Sequence, residues 1–233
     1  MKIFKNLKST AALACILSLS AVGLTSCLKD NNQYVATPSA LLMVVQASPD
    51  APAESVFLTP NQVNQSAFNY GDHLGYFNAY TGSRQVQLLG YGSSAVIASD
   101  TVHLAVNNAY TLFLANTYTK PDFILLTDTV KQPSTGNATI RFVNVSAGSG
   151  NVDLVANTTA LVSNEPYKGA SGFESVSGNM LYNFEVRTSG TTTVLTSLSV
   201  TIKSGGVYTV WFHGSTTGTS PKLSADIIAN AFY

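Results

Sequence analysis

The chain has 233 residues, 45% of them hydrophobic and only 10% charged, and its 12 basic residues balance its 12 acidic ones. This apolar content excludes a largely disordered chain, and the lack of net positive charge argues against a nucleic-acid partner. The length corresponds to one large or two small domains, and the abundance of Gly, Ser, Thr and Asn favours β-structure.

Residues 1–26 have the pattern of a secretory signal peptide. Lys2, Lys5 and Lys8 give a basic start, and an apolar block over 11–24 follows, interrupted only by small Ser and Gly residues. A membrane-spanning helix needs about 20 apolar residues with polar flanks on both sides. Because this block is shorter, the sequence predicts a removable signal rather than a spanning helix.

The end of that block, Leu24-Thr25-Ser26-Cys27, resembles the bacterial lipobox. The resemblance implies cleavage before Cys27 and acylation of its thiol and new amino group, which would make membrane lipid a partner of the protein. Two or three acyl chains, at about 0.8 kcal/mol per buried CH₂, would hold it on a membrane permanently. The alternative is an ordinary signal peptide in which Cys27 is incidental.

The mature chain would keep Cys27 as its only thiol, because Cys15 lies in the removed segment. This excludes an internal disulfide and a thiolate metal site, and we expect no cofactor. Residues 27–39 are otherwise mainly polar and predict a flexible tether behind the lipidated cysteine. Lys29-Asp30 resembles the short charged signals that send Bacteroidetes lipoproteins to the outer membrane, which favours the cell surface over the periplasmic face.

The mature chain would also be mildly acidic. Removal of residues 1–26 leaves nine basic and twelve acidic residues, a net charge of −3. Such a body has no electrostatic reason to lie flat on anionic lipid. The sequence therefore predicts a body held at the membrane by its anchor alone.

The turn Ser48-Pro49-Asp50-Ala51-Pro52 places two carboxylates, Asp50 and Glu54, close together. Calcium requires six to eight oxygen ligands, and two carboxylates with no further Asp nearby supply too few. We therefore expect Asp50 to accept backbone N–H groups within the turn, and we expect no metal site.

Aromatic side chains crowd the middle of the first half, among Asn, Asp and Gly residues. They are Phe68, Tyr70, Tyr76, Phe77, Tyr80 and Tyr91. Flat rings beside amide and carboxylate groups can stack on sugars or extended peptides. Tyr70, Tyr76 and Tyr80 with Asp72 are therefore the candidate ligand-binding residues, although the same rings could equally fill a core.

Catalytic patterns are missing. The histidines His73, His103 and His213 show no metal-binding spacing, and there is no Gly-x-Ser-x-Gly motif or phosphate loop. We expect surface or structural histidines and no catalytic residues.

Two tripeptides resemble the Asp-Ser/Thr-aliphatic pattern of Bacteroidetes protein O-glycosylation. They are Asp100-Thr101-Val102 and Asp128-Thr129-Val130, which makes Thr101 and Thr129 candidate modification sites. The alternative is that each tripeptide simply forms a strand edge.

Tyr110 and Tyr208 each follow a tight turn by two residues, after Asn107-Asn108 and Gly205-Gly206 respectively. In Greek-key sandwiches a Tyr at such a place folds its hydroxyl back onto the preceding corner. Asn and Gly suit the turn because they accept positive φ. The pattern predicts two tyrosine corners, and the alternative is an ordinary strand Tyr at each position.

The chain contains an internal repeat with an offset of 98 residues. Segment 102–114 aligns without a gap on 200–212, and the same offset places 44–48 on 142–146. A repeat of this length is a whole domain. We expect domains over 40–132 and 137–233, joined by a linker at 133–136 that contains Pro and Gly.

Within each copy the hydrophobic period is two. Leu198, Val200 and Ile202 alternate with polar residues, which is typical of antiparallel sheets. Wholly apolar runs at 41–45 and 207–212 suit central strands. With turn signals every 8–12 residues, the pattern predicts an all-β fold of two tandem immunoglobulin-like antiparallel β-sandwiches.

The first copy carries a recognisable signature, in which a strand is followed by Ala47-Ser48-Pro49-Asp50-Ala51-Pro52. It resembles the opening of DUF4397 domains, secreted bacterial domains without an established activity. In the second copy Val152-Asp153-Leu154 keeps part of the pattern, whereas the Pro-rich turn is replaced. The resemblance implies export and an Ig-like sandwich in two copies.

These observations lead to one functional hypothesis and two alternatives. The hypothesis is an outer-membrane lipoprotein that serves binding, adhesion or surface display, with a glycan or an outer-membrane protein as ligand. The alternatives are an enzyme or enzyme accessory using the loops around Asp50, Asp72 and His73, and a passive spacer.

Overall fold

The computed structural model describes residues 37–216 and 222–233, which form strands and turns with no helix among them. The predictions for the signal peptide, Cys27 and the tether up to residue 36 lie outside these residues. No helix in the described part of the chain is long and apolar enough to cross a membrane.

The first repeat contains eight strands. They are β1 (Ser39–Gln46), β2 (Glu54–Leu58), β3 (Asn61–Gln62), β4 (His73–Tyr80), β5 (Gly82–Gly90), β6 (Val96–Leu104), β7 (Ala109–Thr117) and β8 (Lys120–Thr127).

The described residues of the second repeat, 137–216 and 222–233, also form eight strands. They are β9 (Asn137–Asn144), β10 (Val152–Ala156), β11 (Thr159–Glu165), β12 (Glu174–Ser177), β13 (Met180–Thr188), β14 (Val194–Ile202), β15 (Gly206–His213) and β16 (Ser224–Phe232).

Each repeat forms its own two-sheet sandwich, and no sheet mixes strands of both repeats. The sheet orders are β4-β1-β7-β8 and β3-β2-β5-β6 in the first repeat, and β12-β9-β15-β16 and β11-β10-β13-β14 in the second. The prediction of an all-β fold with two tandem sandwiches is confirmed.

One strand pair in each repeat is parallel, although the sequence predicted antiparallel sheets. β1 runs parallel to β7 with Leu41 opposite Ala109, and β9 runs parallel to β15 with Thr139 opposite Val207. Parallel neighbours need a long crossover, and here the intervening strands of the other sheet provide it. The two registers differ by the same 98 residues as the sequence repeat.

Alternate residues of the strands fill a separate core in each sandwich. In the first, Leu42 of β1 packs with Leu88 of β5 and Leu112 of β7. In the second, Phe142 of β9 packs with Phe184 of β13. This is the period-two pattern that the sequence predicts.

A third core lies between the repeats, built from the opposite faces of the same strands. Val45 and Phe113 of the first repeat meet Val143 and Trp211 of the second. The sheets β4-β1-β7-β8 and β12-β9-β15-β16 are therefore covered on both faces, which is why every residue of β15 is buried. The chain from Pro38 to Tyr233 forms one compact unit of four stacked sheets.

The contacts between the repeats are reciprocal. The loop before β4 carries Tyr70 to His213 at the end of β15. The equivalent loop of the second repeat carries Lys168 to Asp122 on β8, where the ammonium and carboxylate lie 2.7 Å apart. Each repeat thus lays the same loop over the other repeat's last hairpin.

This reciprocity places the two sandwiches face to face, with their corresponding ends on the same side of the molecule. The loop that carries Tyr70 pairs with Gln46, and the loop that carries Lys168 pairs with Asn144, so both loops mark the place where the first strand of a repeat finishes. We call that end of the molecule the distal end. The opposite end, where β1 and β9 begin at Ser39 and Asn137, is called the tether end.

Candidate functional site

The tyrosines predicted to form one binding surface do not come together. Tyr70 and Asp72 lie just before β4 at the distal end, whereas Tyr80 ends β4 at the tether end. An eight-residue strand spans about 25 Å at roughly 3.3 Å per residue. Tyr70 and Tyr76 point into the contact between the repeats, and of the three only Tyr80 stays exposed, at 55%.

Tyr80 borders a shallow, open groove on the side of the first sandwich, between its edge strands β3 and β4. Its lining combines aromatic, amide and cationic groups: Leu58, Asn61, Phe77, Asn78, Tyr80 and Arg84. We call it the Tyr80 groove. Asn78 is one of the amides that lie close to Tyr80 in sequence. Arg84 and Asn61 were not predicted, because only the folded chain brings β3, β4 and β5 together.

Arg84 is the single charged residue of the Tyr80 groove. Its guanidinium carbon lies 5.7 Å from the centre of the Tyr80 ring, and Nη2 donates to the Thr59 carbonyl at 3.0 Å. Neither Arg84 Nε nor Thr59 Oγ1 has a hydrogen-bond partner, although both atoms are buried. None of the ion pairs among the described residues involves Arg84, so its guanidinium has no carboxylate partner there.

The Tyr80 groove belongs to the first repeat alone. At the offset of 98, Tyr80 corresponds to Gly178 and Arg84 to Tyr182, while Asn61 corresponds to Thr159. In the second repeat Tyr182 instead turns inward, where it stacks on Phe184 with ring centres 5.4 Å apart. The two sandwiches share a fold and differ at this place.

The chemistry of the groove suits a polar ligand with an apolar face. The exposed ring of Tyr80 can stack on such a face, and the amides of Asn61 and Asn78 can both donate and accept hydrogen bonds. The Arg84 guanidinium, which has no carboxylate partner among the described residues, favours a ligand with an acidic or strongly polar group.

Tyr76 lies in a buried polar network that links the repeats. Its hydroxyl donates to Asp128 Oδ2 at 2.6 Å and accepts from Asn230 Nδ2 at 3.0 Å. Thr111 Oγ1 also donates to Asp128, and Arg141 Nη2 lies 2.7 Å from its Oδ1. Burial and the charge of Asp128 raise the pKa of Tyr76. Tyr76 is therefore not available as a binding platform.

Tyr70 meets a histidine and an aspartate of the second repeat. Its hydroxyl forms a hydrogen bond with Nδ1 of His213. The Nε2 atom of the same imidazole lies 2.9 Å from Asp226 Oδ2. Trp211 stacks on the imidazole, with ring centres 3.9 Å apart. Burial, with the charge of Asp226, raises the pKa of Tyr70 to about 12. The hydrogen bond from His213 lowers the pKa of Asp226. His213 is only 2% exposed, so this arrangement ties the repeats together and leaves no room for a substrate.

Asp72 and Asp50 cap backbone groups at the distal end. Asp72 Oδ2 accepts from the backbone N–H of Asn69 at 2.8 Å. Asp50 Oδ1 accepts from the backbone N–H of Tyr118 at 2.7 Å, so it ties its turn to the β7–β8 hairpin instead of capping its own turn. Neither carboxylate shares a site with Tyr80.

Tyr110 and Tyr208 fold back onto the preceding corners. The Tyr110 hydroxyl accepts from the backbone N–H of Ala105 at 3.0 Å, and that of Tyr208 accepts from Lys203 N–H at 3.2 Å. Asn107 and Gly205 adopt positive φ in these turns, at 61° and 77°. The geometry is that of a tyrosine corner in both repeats.

Thr101 and Thr129 are both exposed, but their preceding aspartates differ. Asp100 is exposed on β6, whereas Asp128 is buried in the network with Arg141. A modifying enzyme that reads the Asp side chain can therefore reach it beside Thr101 and not beside Thr129 in the folded chain.

Within residues 37–216 and 222–233, no group of three or more His, Cys, Asp or Glu side chains is arranged to hold a metal ion. His73 and His103 are exposed and stand apart from His213.

Comparison with known proteins adds little about the ligand. No curated protein matches the sequence. A solved structure that resembles this chain is CBMbc (family CBM26) from Eubacterium rectale Amy13K in complex with maltoheptaose. The identity is 12%, the alignment covers 81% of this chain and 98% of that chain, and the TM-score is 0.25. A likeness this weak carries no argument.

The family comparison covers nearly the whole described chain. The profile of the family described as "Domain of unknown function (DUF4397)" matches residues 40–155 and 144–231. The two matches overlap at residues 144–155, from the end of β9 through most of β10 in the second sandwich. With two matching segments and two sandwiches of one register, the chain belongs to the DUF4397 family.

Proposed function

We propose that the protein is a lipid-anchored, non-catalytic binding protein of the bacterial outer membrane, and that the Tyr80 groove binds a glycan. The observation that carries the proposal is the groove itself: Tyr80 is 55% exposed and is flanked by amides and by a guanidinium that has no carboxylate partner among the described residues.

Lipidation at Cys27 supplies the location in this proposal. The lipobox-like segment and the basic start support it, and the Lys29-Asp30 pair supports display at the cell surface. A binding protein held at the cell surface by this anchor would meet ligands outside the cell and would need no catalytic group.

The test is a glycan array, covering neutral and acidic glycans, probed with the detergent-solubilised lipoprotein. Tyr80→Ala and Arg84→Gln should each lower the binding signal about tenfold or more, since loss of one stacking or charged contact costs about 1.4 kcal/mol or more. Tyr91→Ala is the matched control, because Tyr91 is 50% exposed and lies at the distal end.

Two results would contradict the proposal. One is binding that survives both groove substitutions. The other is capture of an outer-membrane protein, through the same groove, by a chain that binds no glycan. Tyr76→Ala is unsuitable as a probe, because it would also break the network around Asp128.

A passive spacer is the second candidate, and the third core favours it. Four stacked sheets joined by a shared core would hold a partner at a fixed distance from the membrane. A spacer needs no groove, so Tyr80→Ala would leave every property of the cell surface unchanged.

A further inference from the structure

Exposed large apolar side chains concentrate at the tether end. Of the ten that are exposed among residues 37–216 and 222–233, seven lie there, and the three others, Tyr91, Val96 and Val194, lie at the distal end. Leu41 and Tyr80 belong to the side that bears the groove. The remaining five form what we call the tether-end surface: Val106, Met180, Leu181, Phe232 and Tyr233.

Backbone contacts join most of this surface into one patch. Tyr233 N–H donates to Gly205 O at 3.0 Å, and Ser204 N–H donates to Asn179 Oδ1 at 3.2 Å. The end of β16, the β14–β15 turn and the β12–β13 turn therefore adjoin. Phe232 packs its ring edge-on against Tyr208, with centres 5.6 Å apart, while remaining 58% exposed.

Charge is distributed unevenly between the two ends. The connections at the tether end carry Lys131 and Lys203, and their one carboxylate, Asp128, is buried against Arg141. Most of the described carboxylates lie in the distal connections or on the strand ends beside them, among them Asp50, Asp72, Asp122, Asp153, Glu165 and Asp226. The described connections at the tether end therefore bear no free carboxylate, although the mature chain would have a net charge of −3.

We infer that the tether-end surface rests on the anionic bilayer that holds the acyl chains, so that the molecule stands upright. This inference rests on the lipid anchoring in the proposed function. Residues 28–38 separate Cys27 from β1 and span at most about 40 Å, so the tether-end surface lies within reach of the bilayer that holds the acyl chains. Aromatic and aliphatic side chains with nearby lysines suit the headgroup region.

Labels at matched positions test the inference. Because Cys27 would be acylated, an introduced cysteine is the only reactive thiol of the mature lipoprotein. Val106→Cys and Tyr91→Cys have nearly equal exposure, 51% and 50%, at opposite ends of the first sandwich. Leu181→Cys and Val194→Cys form a second pair, so the test survives if one variant misfolds.

Each variant is labelled with an environment-sensitive fluorophore and reconstituted into phosphatidylethanolamine/phosphatidylglycerol vesicles containing brominated lipid. We expect quenching at 106 and 181 to exceed that at 91 and 194 several-fold. Lys203→Glu should reduce the quenching at 106, and Lys120→Glu, at the distal end, should not.

The outcomes separate this inference from the anchor. A chain that floats with the vesicles but shows equal quenching at both ends overturns the upright orientation and leaves the anchor intact. A chain that does not float with vesicles and lacks acyl mass overturns the anchor and the orientation together.

Discussion

Glu54 is a carboxyl group that the fold keeps away from water. It is 2% exposed, and its side chain accepts a hydrogen bond from Gln46 Nε2. Burial outweighs that hydrogen bond and raises the pKa of Glu54 from 4.5 to about 7. The equivalent residue of the second repeat is Val152, so the second sandwich has no such group.

This pKa predicts how stability depends on pH. Between pH 4.5 and about 7 the folded chain keeps a proton on Glu54 that the unfolded chain loses, so the free energy of unfolding falls as pH rises through this window. The loss from Glu54 is on the order of 3 kcal/mol. Glu54→Gln should remove it, and urea unfolding of both proteins across the window measures the difference. Parallel pH profiles for the two proteins would refute the assignment.

At the scale of elements, a buried ion pair lies between the repeats, where Asp128 of the β8–β9 connection meets Arg141 of β9. The side chains of Asp128 and Arg141 are 0% and 3% exposed, and Arg141 also donates to Thr209 Oγ1 at 3.0 Å. In the first repeat the place of Arg141 is taken by Met43. Methionine therefore fits the equivalent position of the same fold.

Replacing only one partner of this pair should be costly. Arg141→Met leaves the Asp128 carboxylate buried without a cation, which should lower the free energy of unfolding by about 3–5 kcal/mol. Adding Asp128→Asn removes the buried charge and should recover most of that loss. Denaturant midpoints of the two single variants and the double variant measure the coupling. Additive losses would show that the pair does not interact.

At the scale of the whole molecule, the third core should make the two sandwiches unfold together. Separating them exposes Val45, Phe113 and Trp211, which are at most 2% exposed in the folded chain. We expect calorimetry to show one transition whose calorimetric and van't Hoff enthalpies agree. Two resolved transitions would contradict the prediction and favour independent domains.

The strand pattern and the repeat could be predicted from the sequence, because the first is a local period of two and the second is a direct similarity between two segments. Alternation over Leu198, Val200 and Ile202 corresponds to β14, and the offset of 98 recurs in the parallel registers of β1 and β9. The completely apolar runs were correctly assigned to central strands. The sequence did not predict that the other repeat covers the second face of these strands, because a strand covered on both faces has the same apolar pattern whichever layer covers it.

The candidate site was harder to predict, because its residues come from three strands. Tyr80 was singled out as an aromatic residue among amides, but Arg84 carries no signal until β4 and β5 are placed in different sheets. Tyr70 and Tyr76 had the same sequence context as Tyr80. Which tyrosines face the other repeat depends on tertiary contacts, and no local pattern reports it.

The reciprocal loops have a consequence for relatives with a single copy. Each repeat covers the other with the same face and loop, which is the arrangement of a symmetric homodimer contained in one polypeptide. A one-copy relative would leave that face bare, and two such chains would gain stability by pairing through it. Fusion into one chain makes this association independent of protein concentration. It also frees the halves to diverge, as Met43 and Arg141 have done.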